Sequence, residues 1–263
     1  MKSIFGRSVP NGKKKKESDT LWTLAGTVFL LLLWEFASRA YGSGMILPGP
    51  LPVLASLAGL VRDPRFLNAL LESFARVFAG ILVSVPLGIG AGIAAGLDRR
   101  IRAFLKPVFS VISATPVLSV ILIAFLIFGS DRTPVFTAFL MVFPVMSANV
   151  IEGINSTDPR LKELFVSFRM SRGETLRYLY IPSLVPFILG GLESSLSLCW
   201  KVVVAAEVIV QPLRSLGAGM QRAKAQLETP ELFAWTAATV IAAAFSQGVL
   251  SFFLKQPGRS RKK

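Results

Sequence analysis

With 263 residues, 52% of them hydrophobic and 17% charged, and a mean hydropathy of +0.59, the chain carries more apolar surface than a soluble core of this size needs. A net charge of +14 would suit a nucleic-acid partner, but the basic residues gather in short stretches between apolar runs, as they do in membrane proteins. Histidine is absent and Cys199 is the only cysteine, which excludes a zinc site built on those residues and any intrachain disulfide.

Six runs approach the roughly 20 apolar residues that cross a bilayer core: about 21 to 41, 68 to 97, 104 to 129, 134 to 152, 184 to 210 and 234 to 254. They are continuous rather than alternating, which disfavours a barrel, and closed backbone hydrogen bonding in lipid makes them helices. The expected fold is therefore all-α, a polytopic transmembrane bundle of six spans. About 20 of the 29 Lys and Arg lie in the N-terminal tail, at Arg99 to Lys106, in a central polar island and in the C-terminal tail. Alternate threading assigns these to one side, the cytoplasm, with both termini inside. The organisation read from this is a basic tail over 1–20, a membrane domain over 21–254 and a basic tail over 255–263.

In chain order, residues 1–20, with Lys13 to Lys16, are expected to be disordered and held near the anionic inner leaflet. Leu21 to Tyr41 is longer than the apolar part of a cleavable signal and is read as a retained span, with cleavage around Ala40 as the alternative. The prolines of Ile46 to Pro52 should stop a helix and lay the chain along the outer surface. Glu72 and Arg76 can pair across one turn, Glu first. Gly88, Gly92 and Gly96 recur every fourth residue, so one helix face is nearly bare backbone and a neighbour can come close. Pro116, after Ala114 and Thr115, should kink the third span, and Phe128 to Pro134 should form an outer turn.

The polar island runs from Gly153 to Ser183. Asp158 before Pro159 is a helix start, and Leu161, Leu164, Phe165 and Phe168 then form one apolar stripe, with Arg160, Lys162, Glu163, Ser167 and Arg169 around it. Ser171 with Glu174 three residues on reads as a capping box, and Pro182 should close the second helix. Read by itself, the island is a docking element or an amphipathic hairpin lying on the membrane. Further on, Lys201 and Glu207 sit in an apolar run, where each charge costs on the order of 2.5 to 3.5 kcal/mol unless paired or facing inward. Six residues apart, they lie on faces roughly 120° apart and are not each other's partner. Glu207 either braces the outer loop or lines a path.

Glu163, followed nineteen residues later by Pro182 with Leu179 and Ile181 before it, resembles the E-A-A-x3-G-x9-I-x-L-P loop of ABC importer permeases. The alanines are replaced by Leu164 and Phe165 and the glycine by Arg169, so the break would come instead from Ser171 and Gly173. Other patches resemble the nitrate, sulfonate and taurine type of this family. They are Leu47-Pro48 with Pro50; Ser73, Arg76, Val77 and Gly80; Phe143-Pro144 with Asn149 and Gly153; Pro182 and Pro186 with Gly190 to Leu192; Trp200 with Ala206-Glu207; and Leu216 to Gly219. Glu193 stands where the family usually has arginine.

The resemblance implies the type I ABC importer permease fold in the inner membrane and a transport role rather than an enzymatic one. It makes residues 153–183 the ATPase-coupling loop, with Glu163, Leu164, Phe165, Phe168, Arg169, Ser171, Gly173 and Pro182 as its contacts. Asn149, Lys201 and Glu207 would line the path or serve as polar bundle residues. The implied partners are a cytoplasmic ATPase dimer, an extracytoplasmic solute-binding protein, a second permease copy and membrane lipid. The chain has no G-x-x-x-x-G-K-[ST] loop, so ATP belongs on the partner and no cofactor is expected here. Two other classes are a stand-alone secondary transporter, which favours internal repeats that are not visible, and an intramembrane enzyme, for which Ser or Cys199 has no evident base but Lys201.

Overall fold

The computed structural model describes residues 12–44 and 46–255, and none of these is in a strand. Ten α-helices follow one another: α1 (Gly12–Tyr41), α2 (Pro50–Val61), α3 (Pro64–Leu97), α4 (Arg99–Ala114), α5 (Val117–Asn155), α6 (Pro159–Ser167), α7 (Arg172–Thr175), α8 (Ile181–Val210), α9 (Leu216–Ala225) and α10 (Thr229–Lys255), with a π-helical stretch, Leu176–Tyr180, leading into α8. The tails expected at 1–20 and 255–263 lie largely outside the described residues. From Gly12 onward the first of them is helix rather than disordered, because lysine is a good helix former and the segment is continuous with an apolar helix.

Among the described residues five helices are long and apolar enough to cross a membrane, 21–41, 64–97, 117–155, 172–210 and 229–254, and the third of these is two helices joined across a non-helical Gly129. The expected third span is in two pieces. Pro116 has no N–H to offer, so the amphipathic α4 stops at Ala114 and the chain restarts as α5. The predicted outer turn at Phe128 to Pro134 shrinks to one residue, Gly129, whose φ of 71° and ψ of −177° interrupt α5. Helix resumes at once, with Thr133 Oγ1 donating to the Gly129 carbonyl at 2.7 Å across the new first turn and Pro134 lying just inside it. The rings of Phe128 and Phe136, eight residues apart, lie 4.7 Å centroid to centroid. On a straight helix they would be about 12 Å apart along the axis, so the chain bends sharply here.

The prolines of Ile46 to Pro52 do not simply stop a helix. Pro50 opens α2 at a first-turn position. Trp34 Nε1 donates to the Pro48 carbonyl at 3.0 Å and Ser38 Oγ to the Leu47 carbonyl at 2.8 Å, tying the segment to α1. Otherwise α1 is peripheral, with its apolar side chains mostly exposed.

The core is α3, α5 and α8, with α5 packed extensively on both of the others. The glycine row of α3 meets a row on α5 in register. A Cβ added at Gly88 would lie 2.7 Å from Met146 Cβ, and one at Gly92 would lie 2.6 Å from Val150 Cβ; Gly96 abuts Ile154 in the same way. Steps of four on both helices thus bring the backbones together, and Ser147 Oγ donates across to the Gly88 carbonyl at 3.1 Å. A second core, around Trp200, Phe66 and Trp235, joins α3, α8, α9 and α10.

Gly92→Leu should overpack the α3–α5 contact by about 1 to 3 kcal/mol and lower the melting temperature and yield in detergent. Gly90→Ala, which meets nothing within 4 Å, should leave both unchanged.

Candidate functional site

Two polar assemblies stand at opposite ends of α8. The first is the island. Asp158 caps α6 by accepting from the Arg160 amide at 2.9 Å, as its position before Pro159 predicts. The helix ends in paired bonds from Arg169 N to Val166 O at 2.9 Å and from Met170 N to Phe165 O at 3.1 Å, with Arg169 left-handed at φ 54°. This is a Schellman turn. The break therefore falls on Arg169 itself, the position of the family's glycine, and not on Ser171 and Gly173. Those two lie at and after the next N-cap, where Ser171 and Glu174 form the predicted capping box, Glu174 Oε2 accepting from the Ser171 amide at 2.8 Å.

Pro182 does not close the second helix. It sits in the first turn of α8, and helix runs from Arg172 to Val210 without a gap. The reason lies just upstream: a proline clashes with the carbonyl four residues before it, and the wide π turn over Leu176–Tyr180 makes room.

The apolar stripe of α6 has no cover within the chain. Leu161 and Leu164 are about half exposed, Phe168 is 72% exposed, and only Phe165 is turned partly inward. Glu163 lies on the exposed surface beside them. Lys162 anchors the inner side, donating to the Ile154 carbonyl at 3.3 Å and lying 5.9 Å from the Tyr180 ring centroid, so α6 is held to the ends of both α5 and α8.

The second assembly is built on Glu207, which is fully buried. Ser73 Oγ lies 2.8 Å from both of its oxygens, Arg76 Nη1 donates to Oε1 at 3.1 Å and the Gly217 amide donates to Oε2 at 3.3 Å. Ser73 also accepts from the Leu216 amide at 3.0 Å, and Arg76 donates to the Arg214 carbonyl at 2.9 Å. One carboxylate thus joins α3, α8 and the start of α9, where a side chain at Gly217 would collide with the backbone at Glu207 and Val208. Leu216 to Gly219 is the first turn of α9, with Ser215 Oγ accepting from the Ala218 amide at 3.0 Å.

Of the expected polar path residues, Glu207 is a brace. Asn149 lies at the α5–α8 contact, near where a Cβ on Gly191 would sit, and its amide returns to the Val145 carbonyl at 2.8 Å. Lys201 is exposed on α8, and the three are not brought together. Arg76 was missed as a partner of Glu207. It does approach Glu72, at 3.8 Å, but its nearest carboxylate is Glu207. The signal available was an arginine and a carboxylate, each inside a long apolar run that holds only one or two other charges.

The family described as binding-protein-dependent transport system inner membrane component matches residues 84–256, most of the chain. The chain belongs to this family. It is 29% identical over 230 residues to the taurine transport system permease protein TauC of Escherichia coli, covering 85% of this chain and 82% of that one. It is 27% identical over 228 residues to the bicarbonate transport system permease protein CmpB of Synechococcus elongatus, covering 80% of each. A bacterial ABC transporter involved in the import of the acidic polysaccharide alginate shares the fold, with a TM-score of 0.63 at 15% identity over 95% of this chain and 100% of that one. The chain is thus an ABC importer permease, a multi-pass membrane protein and not an enzyme, as the resemblance of its motifs implied.

Glu207→Ala should leave the Ser73 hydroxyl and the Gly217 amide without their acceptor and lower stability by about 1 to 3 kcal/mol, visible as a fall in melting temperature, with Ser73→Ala costing about 1 to 2 kcal/mol. Arg169→Gly should relieve the left-handed backbone and raise the melting temperature by the equivalent of about 1 kcal/mol.

Proposed function

We propose that this permease, paired with a second copy in the lipid bilayer, forms the translocation path for a small solute, and that a separate cytoplasmic ATPase dimer drives it through α6 and α7. The observation that carries the reading is the uncovered apolar stripe of Leu161, Leu164 and Phe168 on a helix capped at both ends and fixed to α5 and α8. A surface hairpin would need no such fixation. A coupling element does, because closure of the ATPases can shift the bundle only if the handle moves with the helices. Glu163 beside the stripe offers the partner one carboxylate, and Gly173 and Ser171 shape the second half of the handle.

ATP is bound by the partner, in keeping with the lack of a phosphate-binding loop in this sequence. The basic island and the basic stretch at Arg99 to Lys106 support a cytoplasmic side for this end of the bundle and for both termini, with an extracytoplasmic binding protein delivering solute at the α9 end. Relatives named for taurine and bicarbonate support a small solute bearing an anionic group.

Replacing Glu163 by Ala together with Phe168 by Asp should abolish solute-dependent uptake and weaken co-purification of the ATPase, while the permease remains inserted at normal yield. Uptake at the unmodified rate by this double variant would overturn the coupling role.

A further inference from the structure

Lys201 is the one basic residue on α8, and neither of the two assemblies uses it. It lies nine residues before the end of the helix at Val210, about 13 Å along the axis and deeper than a lysine side chain can reach back to the surface. Among the described residues no carboxylate comes within ion-pair distance of it. The two acidic groups on its own helix are engaged elsewhere: Glu207 with Ser73 and Arg76, and Glu193, two turns away, with Ser251 Oγ at 3.4 Å.

Lys201 instead opens into a cleft of about 500 Å³ between α8, α9 and α10, whose other polar side chains are Ser197, Thr236, Thr239 and Gln247. None of these is charged. Gln247 Nε2 donates to Ser197 Oγ, which leaves the Ser197 proton free to point elsewhere. Thr236 and Thr239 donate to carbonyls of their own helix, at 2.9 and 3.0 Å. The donors open to the cleft are therefore the Lys201 ammonium and the Ser197 hydroxyl, one helical turn apart on the same face, with the second N–H of the Gln247 amide beside them. A cluster of donors with one net positive charge complements a monovalent oxyanion.

We infer that this cleft binds the anionic group of the transported solute, a sulfonate or carboxylate, with Lys201 as its counter-ion and Ser197 as the second donor. The inference rests on the chain being an importer permease and adds the site and the charge of what it takes. An intramembrane cation without a protein partner is then explained by the cargo that neutralises it.

The test is uptake by proteoliposomes holding the permease with its ATPase and binding protein, using labelled taurine, acetate, nitrate, urea and choline. The unmodified complex should import an oxyanion-bearing member and neither urea nor choline. Lys201→Gln should lower that uptake about tenfold or more, and Ser197→Ala about threefold, the losses expected from removing a charged and a neutral donor. Lys201→Arg should restore uptake to within about threefold of the unmodified rate. Co-purification of the ATPase at normal yield shows that each variant is folded.

If Lys201→Gln assembles and imports at the unmodified rate, the inference is wrong while the importer reading stands; import of urea or choline has the same meaning. Where Lys201→Gln fails to assemble, an unchanged rate in Ser197→Ala overturns it instead. Loss of co-purified phosphatidylglycerol from Lys201→Gln with uptake intact would assign the charge to a lipid headgroup and also overturn it. If the unmodified complex imports none of these solutes, nor any other, the importer reading itself fails and the inference with it.

Discussion

The close approach of α3 to α5 is the constraint on which the rest of the molecule depends. Gly88, Gly92 and Gly96 leave one side of α3 without side chains, and Met146, Val150 and Ile154 fill that side at the same four-residue step. In lipid there is no hydrophobic drive to press helices together, so contact at this distance, with the Ser147 bond across it, supplies the association. Because α5 packs as extensively on α8, the three helices behave as one block. A push at α6, which is fixed to the ends of α5 and α8, reaches the block and not a single flexible segment.

The Glu207 assembly does for the far end what the glycine row does for the middle. A buried carboxylate is costly, and it is tolerated here because Ser73, Arg76 and a backbone amide all donate to it. Both ends of the bundle are therefore held by side chains that join elements distant in sequence. Between them α8 presents Lys201 to a cleft that no such network fills.

Features that are local in sequence were legible there. The Asp158-Pro159 start, the Ser171 and Glu174 box and the four-residue glycine step each depend on neighbours within one or two turns, and all three stand as expected. The rest depended on distance or on competing backbone demands. Glu207 and Arg76 are 131 residues apart, so nothing local could pair them. Pro182 carries the ordinary signal of a helix end, which a π turn upstream cancels. Arg169 adopts a glycine conformation because two backbone bonds of the turn enforce it, against its own preference. At Pro116 a kink was expected, and the helix instead ends at Ala114 and restarts at Val117, because the proline has no N–H to carry the ladder across. The five apolar segments do not test the side on which the termini lie.

The wide turn over Leu176–Tyr180 has a geometric consequence for the handle. A π turn holds one residue more than an α turn for nearly the same rise, and one residue corresponds to about 100° of rotation. The azimuth of α7, and through it of α6, relative to α8 is thus set by a single inserted peptide unit next to Pro182. Removing that unit would leave every side chain of the α6 stripe intact and point it in another direction.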